Sequence, residues 1–280
     1  MPSENVTVYD PEVGIVKEPA NRHSYRSQIR APKRFLVKAG SDFLTKNNRL
    51  DLEGMHNIIE QLAILQRQGI EIVYVTSGAR YAGMYKVGEE RAKSMDSRTL
   101  CSIGQIELMR HYVDMADIFG ITLGQILLEA ADFRPEHRTE TKEGFQGLFS
   151  TGVIAVVNAN DPTWKGEVEA DNDNLAADIY GLTRADFAIY LSNIPGLMHD
   201  YKTGNEEVIS VVRGIDSKLY DLVKDENSQR PTGMQAKLQG IEKILKSRGH
   251  AVIAGGKKQN IILEILDGLN VGTYFVRNNH

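Results

Sequence analysis

Apolar residues along this chain alternate between two patterns. Short runs with almost no polar interruption are followed by stretches in which apolar positions recur every three or four residues. "RFLVKAG" at 34–40 is an apolar run ending at a glycine, which reads as a buried strand entering a loop. From Leu52 to Gln68 the apolar set Met55, Ile58, Ile59, Leu62, Ile64 and Leu65 has helical spacing, and "GIEIVYVTSGA" at 69–79 supplies a helix-stopping glycine and a second strand. A strand, helix and strand in that order cross over with a right hand, so the two strands are parallel. The pattern repeats. Strands are expected within 120–130, 152–158, 185–192, 250–256 and 272–276, with helices near 95–118, 140–150, 173–182, 214–223 and 234–248. Strands apolar on both faces and interleaved with helices predict an α/β fold, a three-layer αβα sandwich on a mostly parallel sheet. The first 33 residues are polar and read as a surface arm; 34–280 reads as one domain with two lobes.

The polar residues break in at the ends of these strands. Lys38-Ala39-Gly40-Ser41, Thr76-Ser77-Gly78, Asn158-Ala159-Asn160-Asp161 and Ser192-Asn193 all follow apolar runs. In open α/β sheets ligands bind beyond the carboxyl ends of the strands, so these loops share one functional edge. Lys38 lies inside the first strand beside a glycine turn, and Lys237 follows "RPTGMQA", a glycine turn opening a helix. Free N–H groups at a helix start together with a nearby ammonium suit a phosphate chain. No glycine-rich loop ends in Gly-Lys-Ser or Gly-Lys-Thr, which argues against a P-loop. Lys38 alone could equally snorkel from a strand edge, and Asp161 before Pro162 could form a simple Asx turn. "EADNDNLAADI" at 169–179 reads as a helix cap centred on Asp173 or Asn174, or as half of a site for a charged ligand.

Composition narrows the functional class. The 280 residues are 41% hydrophobic and 25% charged, as in ordinary globular proteins, and the net charge of −4 gives no general attraction for nucleic acid. Apolar runs such as "GVIAVV" are strand-length, so no membrane role is expected. The first 33 residues contain no signal-peptide apolar core, and the single cysteine, Cys101, excludes an internal disulfide or thiolate metal cage. Cytoplasmic localisation is the expectation.

The motifs in order resemble the amino acid kinase family, most closely its glutamate-phosphorylating members. "VKAGSDFLT", "VTSGARYAG", "SIGQIELM", "VVNANDP", "ADNDNLAADI", "ADFAIYLSNIPGLM", "PTGMQAKLQ" and "GLNVGTYF" are similar to successive family segments from about Arg34 to Val276. The resemblance implies ATP- and Mg2+-dependent phosphorylation of the side-chain carboxylate of L-glutamate, or a close analogue, to an acyl phosphate, the first step of proline biosynthesis. It implies an N-lobe that binds the amino acid and a C-lobe that binds ATP. Lys38 and Lys237 would flank the phosphates, with Asp161 holding both. Ser77, Gly78, Glu143, Asn160 and Asp173 would border the substrate. Gly40, Ser41, Ser192, Asn193, Thr232, Gly233 and Met234 would contact the nucleotide along with the lysines. No metal would be held directly by the protein; Mg2+ would come with the phosphates. A homodimer or tetramer, and a γ-glutamyl phosphate reductase as partner, are implied in the same way. The small C-terminal domain that many bacterial glutamate-phosphorylating members carry is not expected here.

Several positions depart from the family pattern. Asp42 puts a carboxylate in the phosphate-facing loop, Ala159 replaces a glutamate, Glu143 and Asn193 stand where aspartates are usual, and Arg230-Pro231 displaces a glycine-threonine pair. These changes leave room for another acceptor, as in the N-acetylglutamate, carbamate, uridylate and aspartate kinases. They also leave room for a non-catalytic ligand sensor in which Asp42 and Arg230-Pro231 have spoiled phosphate binding.

Overall fold

The computed structural model describes residues 5–19, 32–163, 171–199, 206–223 and 233–276. Ten strands form one sheet: β1 (Asn5–Asp10), β2 (Gly14–Pro19), β3 (Arg34–Ala39), β4 (Glu71–Val75), β5 (Leu123–Leu128), β6 (Ile154–Ala159), β7 (Phe187–Ser192), β8 (Val211–Val212), β9 (Ala251–Gly255) and β10 (Thr273–Phe275). Their order across the sheet is β2-β1-β8-β10-β9-β7-β3-β4-β6-β5. From β9 to β5 all neighbours are parallel, as the interleaved helices require; the antiparallel pairs are β1 with β2 and β9 with β10.

Residues 5–19 correct one expectation. They are not a polar arm but two edge strands, with β1 pairing parallel to β8 and burying Val8 and Tyr9. Tyr9 also donates a 2.5 Å hydrogen bond to Asp216, the cap of the helix Ser217–Leu222. The remainder of 1–33, apart from 32–33, lies outside the described residues.

Strand alternation sorts the core into two layers. Phe35 and Val37 of β3 point to a cluster with Met55, Ile58, Ile59 and Leu62 of α2 (Leu52–Arg67). Leu36 points the other way, into a cluster with Ala176, Ile179, Leu238 and Ile241. Those four belong to α6 (Asn172–Thr183) and α7 (Gly233–Lys246), which pack against each other on that face. Helices cover both faces, so the sandwich is as expected. Four more helices shape the loops: α1 (Ser41–Leu44), α3 (Ala79–Val87), α4 (Ser97–Phe119) and α5 (Arg138–Ser150).

Candidate active site

The period of two in β3 decides where its lysine goes. Lys38 has the parity of Leu36 and therefore faces α6 and α7. In register it sits between Val75 of β4 and Tyr190 of β7, near the carboxyl end of the central strands. Its side chain is 4% exposed, and its Nζ lies 2.7 Å from Asp173 Oδ1. Burial pushes the Lys38 pKa down; the Asp173 carboxylate opposes this, and the nearby charge of Lys237 adds to the lowering. Two ammonium groups from residues 199 positions apart thus share one cleft.

The helices that supply the other two charges are locked together. Tyr190 donates from its hydroxyl to the Asp173 carbonyl at 3.1 Å, and Gly240 of α7 lies under that carbonyl. A Cβ at Gly240 would stand 2.5 Å from the Asp173 oxygen, so only glycine lets α7 come this close to α6. Lys237 is nearly one turn earlier on α7. It is buried, donates to the Gly233 carbonyl at 3.4 Å, and has Asp42 Oδ2 at 3.8 Å.

Next to Asp173 lies a cluster of hydrogen-bonded amides. Asn172 Nδ2 is within hydrogen-bond distance of the Thr76 carbonyl (3.1 Å), Ser77 Oγ (2.8 Å) and Asn158 Oδ1 (3.0 Å). Asn158 in turn donates to Gln105 Oε1 at 2.8 Å. Gln105 Nε2 and Asn172 Oδ1 are buried without a hydrogen-bond partner among the described residues. An unmet buried amide costs free energy unless a ligand meets it. Gly78 takes φ +98°, which carries the chain from β4 into α3 directly beside Ser77. Asn160 donates to Glu129 Oε1 at 2.9 Å, and Thr163 also bonds that carboxylate. Glu129 is fixed in turn by the turn that follows it, with Asp132 Oδ2 accepting from the Glu129 N–H at 2.6 Å.

The structure brings together Lys38, Gly40, Ser41, Ser77, Gly78, Asn160, Asp173, Ser192, Asn193, Gly233, Met234 and Lys237 on the expected edge, all at strand exits or at the starts of α1, α3, α6 and α7. Asn193 Nδ2 donates to the Asp42 carbonyl at 2.5 Å, joining the segments that follow β3 and β7. Thr232, like Arg230-Pro231, lies outside the described residues.

Three expectations change. The carboxylate held against Lys38 is that of Asp173, because α6 packs over β3, while Asp161 lies in the turn leaving β6. Asp173, expected beside the substrate, therefore faces a lysine. The cap of α6 is Asp171, whose Oδ1 accepts from the Asp173 N–H at 2.9 Å, rather than Asp173 or Asn174. Glu143 stands exposed on α5 with no hydrogen bond or ion pair among the described residues. Sequence reasoning also missed Asn172, Gln105 and Glu129. Glu129 follows the apolar run of β5, so the rule that flagged the other strand exits applied to it as well.

Known proteins resemble this chain in sequence and in fold. A profile of the amino acid kinase family matches residues 33–255. Glutamate 5-kinase from Enterococcus faecalis is 30% identical over 268 residues, covering 91% of this chain and 98% of its own. Glutamate 5-kinase from Clostridium acetobutylicum is 32% identical, covering 92% and 98%. Glutamate 5-kinase from Syntrophus aciditrophicus is 35% identical over 251 residues, and this chain spans 65% of that protein's length. Among solved structures, carbamate kinase from Giardia lamblia bound to AMP-PNP superposes with a TM-score of 0.64 at 14% identity, covering 88% of this chain and 99% of its own. UMP kinase from Bacillus anthracis superposes with a TM-score of 0.60 at 15% identity. With the profile spanning most of the sheet and the full-length relatives matching nearly end to end, the chain belongs to the amino acid kinase family.

Proposed function

We propose that this protein transfers the γ-phosphoryl group of ATP to the side-chain carboxylate of L-glutamate, or a close analogue, as in the first step of proline biosynthesis. The observation that carries the reading is the convergence of two buried ammonium groups, Lys38 and Lys237, beside a cluster of buried amides with bonding capacity left over. A carboxylate oxygen of the substrate forms a bond to the γ-phosphorus while the bond to the β,γ-bridging oxygen breaks; ADP takes the electron pair and an acyl phosphate results. Such a transfer needs alignment and charge neutralisation more than covalent help. Lys38, held by Asp173, and Lys237, at the start of α7, would neutralise the phosphoryl group from two sides. Ser77, Asn160 and Asn172 would orient the amino acid.

The residues present suit a polyphosphate. At Gly40 a Cβ would come within 3.1 Å of the lysine Nζ, so a glycine there keeps its own side chain out of the approach to Lys38. Mg2+ bound to the phosphates would neutralise further charge on them. The product is a labile acyl phosphate, which fits delivery to a γ-glutamyl phosphate reductase, and cytoplasmic action as a homodimer or tetramer completes the proposal. Trapping with hydroxylamine in the presence of Mg-ATP and glutamate should give a hydroxamate. No hydroxamate with glutamate or any related amino or acylated-amino dicarboxylate would refute the reading.

A further inference from the structure

The sequence places an acid in the loop that should face the phosphates, and the structure shows where that acid goes. Asp42 is the second residue of α1, and its backbone is held by the Asn193 side chain. Its carboxylate does not turn away. Oδ2 lies 3.8 Å from Lys237 Nζ, while Oδ1 crowds the space over Gly40, where a Cβ would come within 2.4 Å of it. The Asp42 side chain is 48% exposed, whereas both ammonium groups are almost fully buried. The carboxylate therefore stands at the mouth of the cleft, in front of the lysines. Asp42 also acts electrostatically on Lys38.

Among the described residues, Lys38 and Lys237 stand against Asp173 and Asp42, two ammonium groups against two carboxylates. A bare nucleotide polyanion entering here meets a carboxylate where a neutral side chain would offer no repulsion. A divalent cation changes the sign of that contact, since Mg2+ is bound through one or two carboxylates together with substrate phosphates.

We propose that Asp42 makes nucleotide binding in this protein depend on a divalent cation, its carboxylate meeting the cation carried by the phosphates. The inference rests on the kinase reading and adds to it a determinant particular to this loop. The test is calorimetric titration of the full chain with AMP-PNP, once in EDTA and once in excess magnesium chloride. Magnesium should tighten wild-type binding by more than about tenfold. In Asp42→Asn the metal-free affinity should rise, and the gain from magnesium should shrink to less than about threefold. Asp42→Glu, which keeps the charge, should retain most of the wild-type gain. An Asp42→Asn protein with the full wild-type gain overturns the proposal while leaving the kinase reading intact. Wild-type protein that binds nucleotide in neither buffer overturns both.

Discussion

The lysine cleft and the amide cluster meet at the same strand ends but solve opposite problems. In the cleft, charge is buried and paired: Lys38 sits against Asp173, and Lys237 near Asp42. In the amide cluster, neutral groups are buried with bonding capacity left over among the described residues, at Gln105 Nε2 and Asn172 Oδ1. A buried ammonium must have a counter-charge or lose its proton, so the cleft comes with its partner built in. An amide can wait for a ligand at lower cost. On the proposed reading, charge discrimination belongs to the cleft and recognition of the amino acid to the amides.

Substitutions on each side should separate these roles. Lys237→Met removes a charge used mainly in the transition state, and kcat should fall by about 10³-fold with a much smaller change in KM for glutamate. A hydroxamate assay across substrate concentrations checks this; an equal loss confined to KM would break the division. Asp173→Asn should lower kcat by about 10²-fold and reshape the pH profile. Burial already depresses Lys38, and the Asp173 carboxylate is what restrains that fall. Without it the Lys38 pKa drops further, so the proton is lost at lower pH and the alkaline limb of activity moves toward neutrality. A limb that stays in place would mean Asp173 does not govern Lys38.

On the amide side, Asn172→Ala leaves Ser77 and Asn158 without their shared donor. It should raise KM for glutamate about tenfold, worth about 1.4 kcal/mol, while kcat changes little. Gly240→Ala acts through the frame that both regions share, because its methyl group would meet the Asp173 carbonyl. Overpacking there should cost about 1–3 kcal/mol, read as a lowered Tm, with activity reduced only as far as α7 shifts Lys237. An unchanged Tm would show that the two helices can part freely.

Much of this arrangement was legible in the chain. The apolar runs gave the parallel strands, the helical spacing of Met55 to Leu65 gave α2, and the glycines and polar residues at strand exits marked the edge where the lysines and amides gather. The edge hairpin was missed because neither strand is an unbroken apolar run: β1 ends in Asp10, and β2 carries Lys17 and Glu18 toward solvent. Asn172 was passed over between two acids that drew more notice. Gln105 lies mid-helix in α4, where nothing local separates a ligand contact from a surface residue.

By itself, then, the sequence determined which residues form the layers and which strand ends carry chemistry, since hydrophobic period and turn residues are local properties of the chain. Only the tertiary structure decided which acid stands against which lysine. Asp161 and Asp173 are comparable in type and both follow β6 in the chain. The choice between them came from α6 packing over β3, with Tyr190 and Gly240 fixing that contact, and pairing of this kind depends on distances that no local pattern encodes.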